Sequence, residues 1–372
     1  MLATVIIFLV ILSVLVLIHE AGHFFVAKFF GIKVEEFGFG LPPRAFGIKR
    51  GETIYSINWL PIGGFVKLYG EDEAGTGAVK IKEQKISAKD RNRAFFAKPV
   101  WQRALVVFAG VMMNFLLAVI IISVLFSVVG VQTGGDKVIV TQVVSGSPAS
   151  ESGLKAGDTI EYINQIQVTD PNQLVTITKQ HLGEKLTLKV KTVNSKEETL
   201  TLTPRKNYPP DQGPMGVAIS QNIITQKYPW YKAPFIGTYQ ALQESWLILV
   251  GLGTVLTQLF TKASVPAGVA GPVGIAELTG QFVQLGPSAL LSFVSLLSLN
   301  LAILNVLPIP ALDGGRLFFI LFEGITRRKV DKKVESYTHA IGMAVLLILI
   351  ALITLHDIIR LITGQPILQL PK

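Results

Sequence analysis

The chain has 372 residues, is 50% hydrophobic and 16% charged, contains no cysteine and carries a net charge of +9. That balance is too apolar for a soluble protein of this length and fits a polytopic membrane protein with a soluble insert. The lack of cysteine excludes a disulfide framework and a thiolate metal site, and the basic residues gather beside apolar runs, where membrane orientation explains them better than nucleic acid.

Residues 1–30 read as a first spanning helix, with no N-terminal Lys or Arg and no small-residue cleavage site, so a cleaved signal peptide is not expected. Its stretch Val14 to Phe25 contains His19-Glu20-Ala21-Gly22-His23 inside a nearly unbroken apolar run. On a helix, two histidines four apart are separated by about 400° and roughly 6 Å of rise, so they point the same way and can share a metal. Glu20 lies about 100° away, close enough to act on a water at that metal. A lone buried histidine is usually a core residue. Three ionisable groups within five residues of a spanning helix are hard to explain as packing, since each costs roughly 2.5–3.5 kcal/mol even on lenient insertion scales. A metal site at membrane depth is therefore expected, held by His and carboxylate.

Residues 31–99 are charged and broken by Gly and Pro, with Arg44, Lys49 and Arg50 and then Lys80, Lys82, Lys85, Lys89, Arg91, Arg93 and Lys98, the signature of a cytoplasmic segment. Thr53 to Trp59 and Phe65 to Tyr69 read as strands flanking the turn-rich Pro61-Ile62-Gly63-Gly64, which predicts a membrane-associated β-hairpin region. Residues 100–130 form a second span, with Asn114 as its polar group. Residues 131–223 change character: Val138–Val140, Thr159–Ile163, Leu186–Val190 and Thr199–Leu202 read as short strands separated by Gly, Pro and Asn turns, a small β-rich domain. Residues 224–287 include the apolar run Trp246 to Phe260, short for a span and suited to an interfacial or re-entrant helix. Residues 288–315 give a third span, 316–335 a basic loop, 336–362 a fourth span and 363–372 a tail. The remaining histidines, His181, His339 and His356, read as surface or interfacial.

A catalytic zinc site takes three protein ligands and water, so a third ligand is needed. Asp313 stands at the end of the third span after Pro308 and Pro310, which interrupt helical bonding. It could equally cap the next helix. Charge distribution separates the two readings: with four spans, the cytoplasmic ends of spans one and three coincide and Asp313 reaches the leaflet of His19 and His23. A fifth span at Trp246 to Phe260 would place it, and the basic loop after it, on the other side.

These residues resemble the site-2 protease family of intramembrane zinc metalloproteases, in the bacterial branch with a PDZ domain. The resemblance rests on His19 to His23 and on Asn305-Val306-Leu307-Pro308-Ile309-Pro310-Ala311-Leu312-Asp313-Gly314, in separate spans. Gly38-Phe39-Gly40, Pro61 to Lys67 and Gly271 to Ile275 agree with it. The insert is similar to a single PDZ domain through Gly146-Ser147-Pro148-Ala149 and Ser152 to Ile160, whereas Val111 stands where many relatives have proline before the residue matching Asn114.

The resemblance implies Zn2+ held by His19, His23 and Asp313, with Glu20 as general base and Asn300 or Asn305 aiding oxyanion stabilisation. The strands about Gly63 and Gly64 would either receive an unwound substrate strand or plug the cytoplasmic face. The expected partners are the lipid bilayer and transmembrane substrates such as anti-sigma factors, membrane regulators or remnant signal peptides. The PDZ-like domain would bind peptide ends or act as a steric filter. The expected setting is a bacterial inner membrane, with the active site toward the cytoplasm and the insert outside. The competing readings are a membrane-anchored PDZ scaffold with a non-catalytic metal site, against which the intact Glu20 argues, and a zinc transporter, for which the spans offer few relay carboxylates beyond Glu20 and Asp313, Glu323 and Asp357 standing at or near their edges.

Overall fold

The structure is a computed structural model that describes residues 2–71, 88–209, 212–262, 269–328 and 330–363. Lys80, Lys82 and Lys85 of the basic segment and most of the tail lie outside the described residues. The chain divides into two compact units: one from Met1–Val129 and Pro229–Lys372, the other Gly130–Tyr228.

In the first unit, helices α1 (Leu2–Phe29) and α2 (Val100–Val128) enclose a β region, β1 (Val34–Arg50) and β2 (Thr53–Leu68). After the insert come α5 (Ala233–Lys262), α6 (Pro272–Leu285), α7 (Pro287–Val306), α8 (Asp313–Thr326) and α9 (Lys332–Thr363). Four helices are long and apolar enough to cross a membrane: Ala3–Phe29, Val100–Val128, Pro287–Val306 and Lys333–Thr363. The shortest, at 20 residues, rises about 30 Å, the thickness of a hydrocarbon core. Small residues let the first two helices meet, since a Cβ on Gly22 would lie 2.4 Å from the Ala109 carbonyl oxygen.

The β region differs from the hairpin expected at Pro61 to Gly64. Residues 53–68 form one strand, and the tight turn lies at 51–52. Glu36 to Phe39 take two sets of partners, Lys67 to Gly64 on one side and Ile54 to Ile57 on the other. Pro61 to Gly64 therefore carries β2 from one flank of β1 to the other. Gly63 (φ +76°) takes a conformation open to glycine at little cost. The base of this unit is sealed by Ala27, Ile32, Val34, Leu68, Val106 and Ile320, which join α1, both strands, α2 and α8 in one core.

Two boundaries near the C-terminus are corrected. The third span does not run to residue 315: α7 stops at Val306, Leu307 to Leu312 leave the helix, and Asp313 opens α8. The expected basic loop 316–335 is largely helix, because α8 is amphipathic, with Leu317 and Ile320 turned into the core and Glu323 paired to Arg103 at 2.9 Å. α8 ends where Arg327 adopts a left-handed conformation. In the region expected to be interfacial or re-entrant, α5 packs Ala241 against α2 and Leu299 of α7. The N-terminus of α6 is tied to α9, where Asp357 accepts from Gly271 N and Gly274 N at 2.9 and 2.8 Å.

The second unit has a six-stranded sheet of β3 (Val131–Val143), β4 (Thr159–Ile163), β5 (Ile166–Gln167), β6 (Leu186–Lys191), β7 (Glu197–Leu202) and β8 (Val217–Gln226). The order is β7-β6-β4-β3-β8, with β5 paired to β4. Helices α3 (Pro148–Glu151) and α4 (Pro171–Gln180) complete it. Alternation sets the faces: Leu186, Leu188 and Val190 are buried while Thr187 is exposed. Asp170 caps α4 by accepting from Asn172 N. β8, not recognised in the sequence, makes the last strand of the sheet and extends the unit past residue 223.

Candidate metal centre

One turn of α1 and the first residue of α8 bring three side chains together. His19 Nε2 lies 2.8 Å from Asp313 Oδ2, His23 Nε2 lies 3.1 Å from the same oxygen, and the two Nε2 atoms are 3.2 Å apart. Both histidines are buried. Ligands held about 2.0–2.1 Å from a tetrahedral zinc are about 3.3 Å from one another, so the triangle has nearly the size that the ion requires. The donors are two imidazoles and a carboxylate, the set that suits a catalytic site. Space for them depends on Gly110: a Cβ there would lie 2.4 Å from His23 Nε2 and 2.7 Å from His19 Nε2. The residues present fit zinc.

The second ring nitrogens are also engaged. His23 Nδ1 donates to the Val106 carbonyl at 2.8 Å, which leaves Nε2 with a lone pair facing Asp313. His19 Nδ1 lies 3.3 Å from the side-chain amide of Asn114, whose Oδ1 is buried with no hydrogen-bond partner among the described residues. Turning that amide so that Oδ1 accepts from the ring N–H satisfies both groups and leaves His19 Nε2 free to bind a metal. Ser298 of α7 donates to the Asn114 backbone carbonyl at 2.7 Å, fastening the third span to the same point.

Glu20 faces the β region. Its Oε2 accepts from the backbone N–H of Val66 at 3.1 Å. Glu20, His23 and Asp313 line a cavity of about 610 Å³ together with Phe65 to Leu68, Val106 and Arg316. Arg316 also lies 2.5 Å from Glu71 Oε1 and over the Phe95 ring, so the cavity wall includes a paired cation.

The other expected site residues make different contacts. Asn300 Nδ2 donates to the Leu296 carbonyl one turn back on its own helix, and Asn305 is half-buried on α7. Gly63 and Gly64 pack on α1 at Val16 and Leu17, the turn before His19. His339 is not a surface residue: it is 1% exposed and accepts from Ala311 N. Asn114 was legible as a polar group in a span and as a match to the resembled family's pattern, but without a partner. Its proximity to His19, the Val106 carbonyl and the need for Gly110 have no local sequence signature, because each arises where α2 meets α1.

The chain is similar to known zinc metalloproteases over nearly its whole length. Residues 7–349 match the profile of Peptidase family M50. The chain is 30% identical to the regulator of sigma-W protease RasP of Bacillus subtilis, over 96% of this chain and 99% of that one. It is equally 30% identical to the zinc metalloprotease RasP of Geobacillus kaustophilus, over 96% and 98%. Identity reaches 36% with a chain of Clostridium acetobutylicum named as a zinc metalloprotease, over 93% and 95%.

Proposed function

We propose, for a chain that belongs to peptidase family M50, the site-2 protease family of zinc metalloproteases, that it cleaves transmembrane substrates with His19, His23 and Asp313 as zinc ligands and Glu20 as general base. The observation that carries this reading is the convergence of residues 294 positions apart, His19 and Asp313, at 2.8 Å with Glu20 beside them.

When bound, zinc supplies Lewis acidity: it polarises a peptide carbonyl and makes a neighbouring water acidic enough to react near neutral pH. His19, His23 and Asp313 hold the ion, and Val106 and Asn114 hold the imidazoles in the tautomer that leaves Nε2 free. Glu20 receives the proton of the attacking water and passes it to the leaving amine. The Val66 N–H fixes one of its oxygens.

A substrate helix hides its peptide bonds in internal hydrogen bonds and must unwind to react. Phe65 to Leu68, paired with β1 on one side and lining the cavity, is suited to receive the opened strand by β-addition. Asn300 and Asn305, proposed from the resemblance as oxyanion partners, lie outside the cavity-lining residues, so the Asp313 turn and Arg316 are nearer candidates for contact with substrate.

The basic residues flanking α1, α2 and α8 support a centre toward the cytoplasm and an insert outside it. The Gly130–Tyr228 unit is read as PDZ-like, with the groove between α4 and β8 as the place for a peptide end. RasP of Bacillus subtilis is named for sigma-W regulation, and a membrane-embedded regulator of a sigma factor is the corresponding substrate class here. The decisive experiment is Glu20→Gln in the full chain with a transmembrane reporter. Zinc content should be retained and cleavage lost; cleavage persisting in this variant would refute the mechanism.

A further inference from the structure

Asp313 owes its position to the segment Leu307 to Leu312, and that segment is shaped by a helix outside the metal centre. Ala311 has φ +78°, a left-handed conformation that residues with a Cβ rarely adopt. Its N–H donates to His339 Nδ1 of α9 at 2.9 Å. One turn further along α9, a Cβ on Gly342 would lie 2.3 Å from Pro310 Cβ, so the helix backbone itself touches the segment. On the opposite side, a Cβ on Gly314 would lie 1.9 Å from the Leu307 carbonyl oxygen. The turn is therefore held between α8 and α9, with little room to relax.

The environment of His339 leaves its ring one polar task. It is 1% exposed, lies against Phe319 with ring centroids 5.7 Å apart, and its Nε2 makes no hydrogen bond among the described residues. Accepting at Nδ1 makes the ring neutral with the proton on Nε2. A histidine buried at the cost of one unsatisfied nitrogen is poorly explained as packing.

We propose that His339 is a positioning residue of the metal centre: by accepting from Ala311 N, it holds the left-handed turn that aims Asp313 Oδ2 at His19 and His23. This rests on the reading of Asp313 as a ligand. The geometry needed is an acceptor at the Nδ1 position. Asparagine places its Oδ1 there, glutamine places its acceptor one bond further, and phenylalanine keeps the ring volume with no acceptor.

The test uses the purified full chain and reads zinc retention against a chelator, together with the visible spectrum of the cobalt(II)-substituted protein. His339→Phe should lose about 10–100-fold in metal affinity, as is usual for groups that orient a ligand, and shift the cobalt bands. His339→Asn should stay close to the parent in both. Parent-like affinity and spectrum in His339→Phe, or equal weakening in His339→Asn and His339→Phe, would overturn the proposal. If His339→Phe fails to fold, His339→Asn against His339→Gln carries the same contrast, Asn holding metal and Gln losing it, and equal behaviour of that pair overturns it. Asp313→Ala runs alongside: undiminished zinc binding there would sink the ligand assignment, whatever His339 does.

Discussion

At the scale of single residues, the proposed metal centre is held by hydrogen bonds that its two histidines make through their second ring nitrogens. Asn114 and the Val106 carbonyl each engage an Nδ1, and each fixes a ring whose Nε2 faces Asp313. Replacing Asn114 with Leu should therefore weaken zinc binding by about 10–100-fold while leaving the three ligands in place, which competition against a graded chelator will measure. Gly110 is a harder constraint. A methyl group there occupies the space between the imidazoles, so Gly110→Ala should displace one of them and lose zinc outright in metal analysis. A folded Gly110→Ala protein with full zinc content would contradict the packing described here.

At the scale of elements, β2 and α1 act as one device. The same strand that lines the cavity donates its Val66 N–H to Glu20, so the proposed base and the proposed substrate edge are registered to each other. Val66→Pro deletes that donor without touching a ligand. Zinc content should be unchanged and cleavage of a transmembrane reporter should fall by at least an order of magnitude, the scale of a general-base contribution. Equal loss of zinc would show that the strand supports the metal site instead. The break between α7 and α8 is the second such device. Pro308 and Pro310 lack backbone donors, so the chain leaves the helix and Asp313 starts a new one.

At the scale of the whole molecule, a zinc metalloprotease of four candidate spans interrupts its membrane unit with a separately cored β domain. Val138, Ile160, Leu174, Leu186 and Leu202 form a continuous core within Gly130–Tyr228. That segment should fold when expressed alone and unfold in one cooperative step, since its size and core suit an independent domain. Calorimetry with equal calorimetric and van't Hoff enthalpies is the expected result, and a non-cooperative melt would argue against autonomy. Its strands were largely legible from alternation, because each half-buried strand carries its own record of inside and outside. Two strands were not read: β5 has only two residues, and β8 alternates weakly because its residues are mostly exposed.

The amino-acid sequence by itself determined the residue pattern of the proposed centre and the count of long apolar helices. Two histidines four apart, a glutamate between them and a distant Pro-x-Pro-x-x-Asp turn are local patterns, and apolar length is a local property. Only the tertiary structure decided what surrounds them: that Gly110 must lack a side chain, that Asn114 meets His19, that β2 passes on both flanks of β1, and that His339 holds the turn before Asp313. The physical reason is contact range. Helical spacing and hydropathy are read within a few residues, whereas the contacts of Asn114, Gly110 and His339 exist only where separate helices approach closely enough to exclude a methyl group.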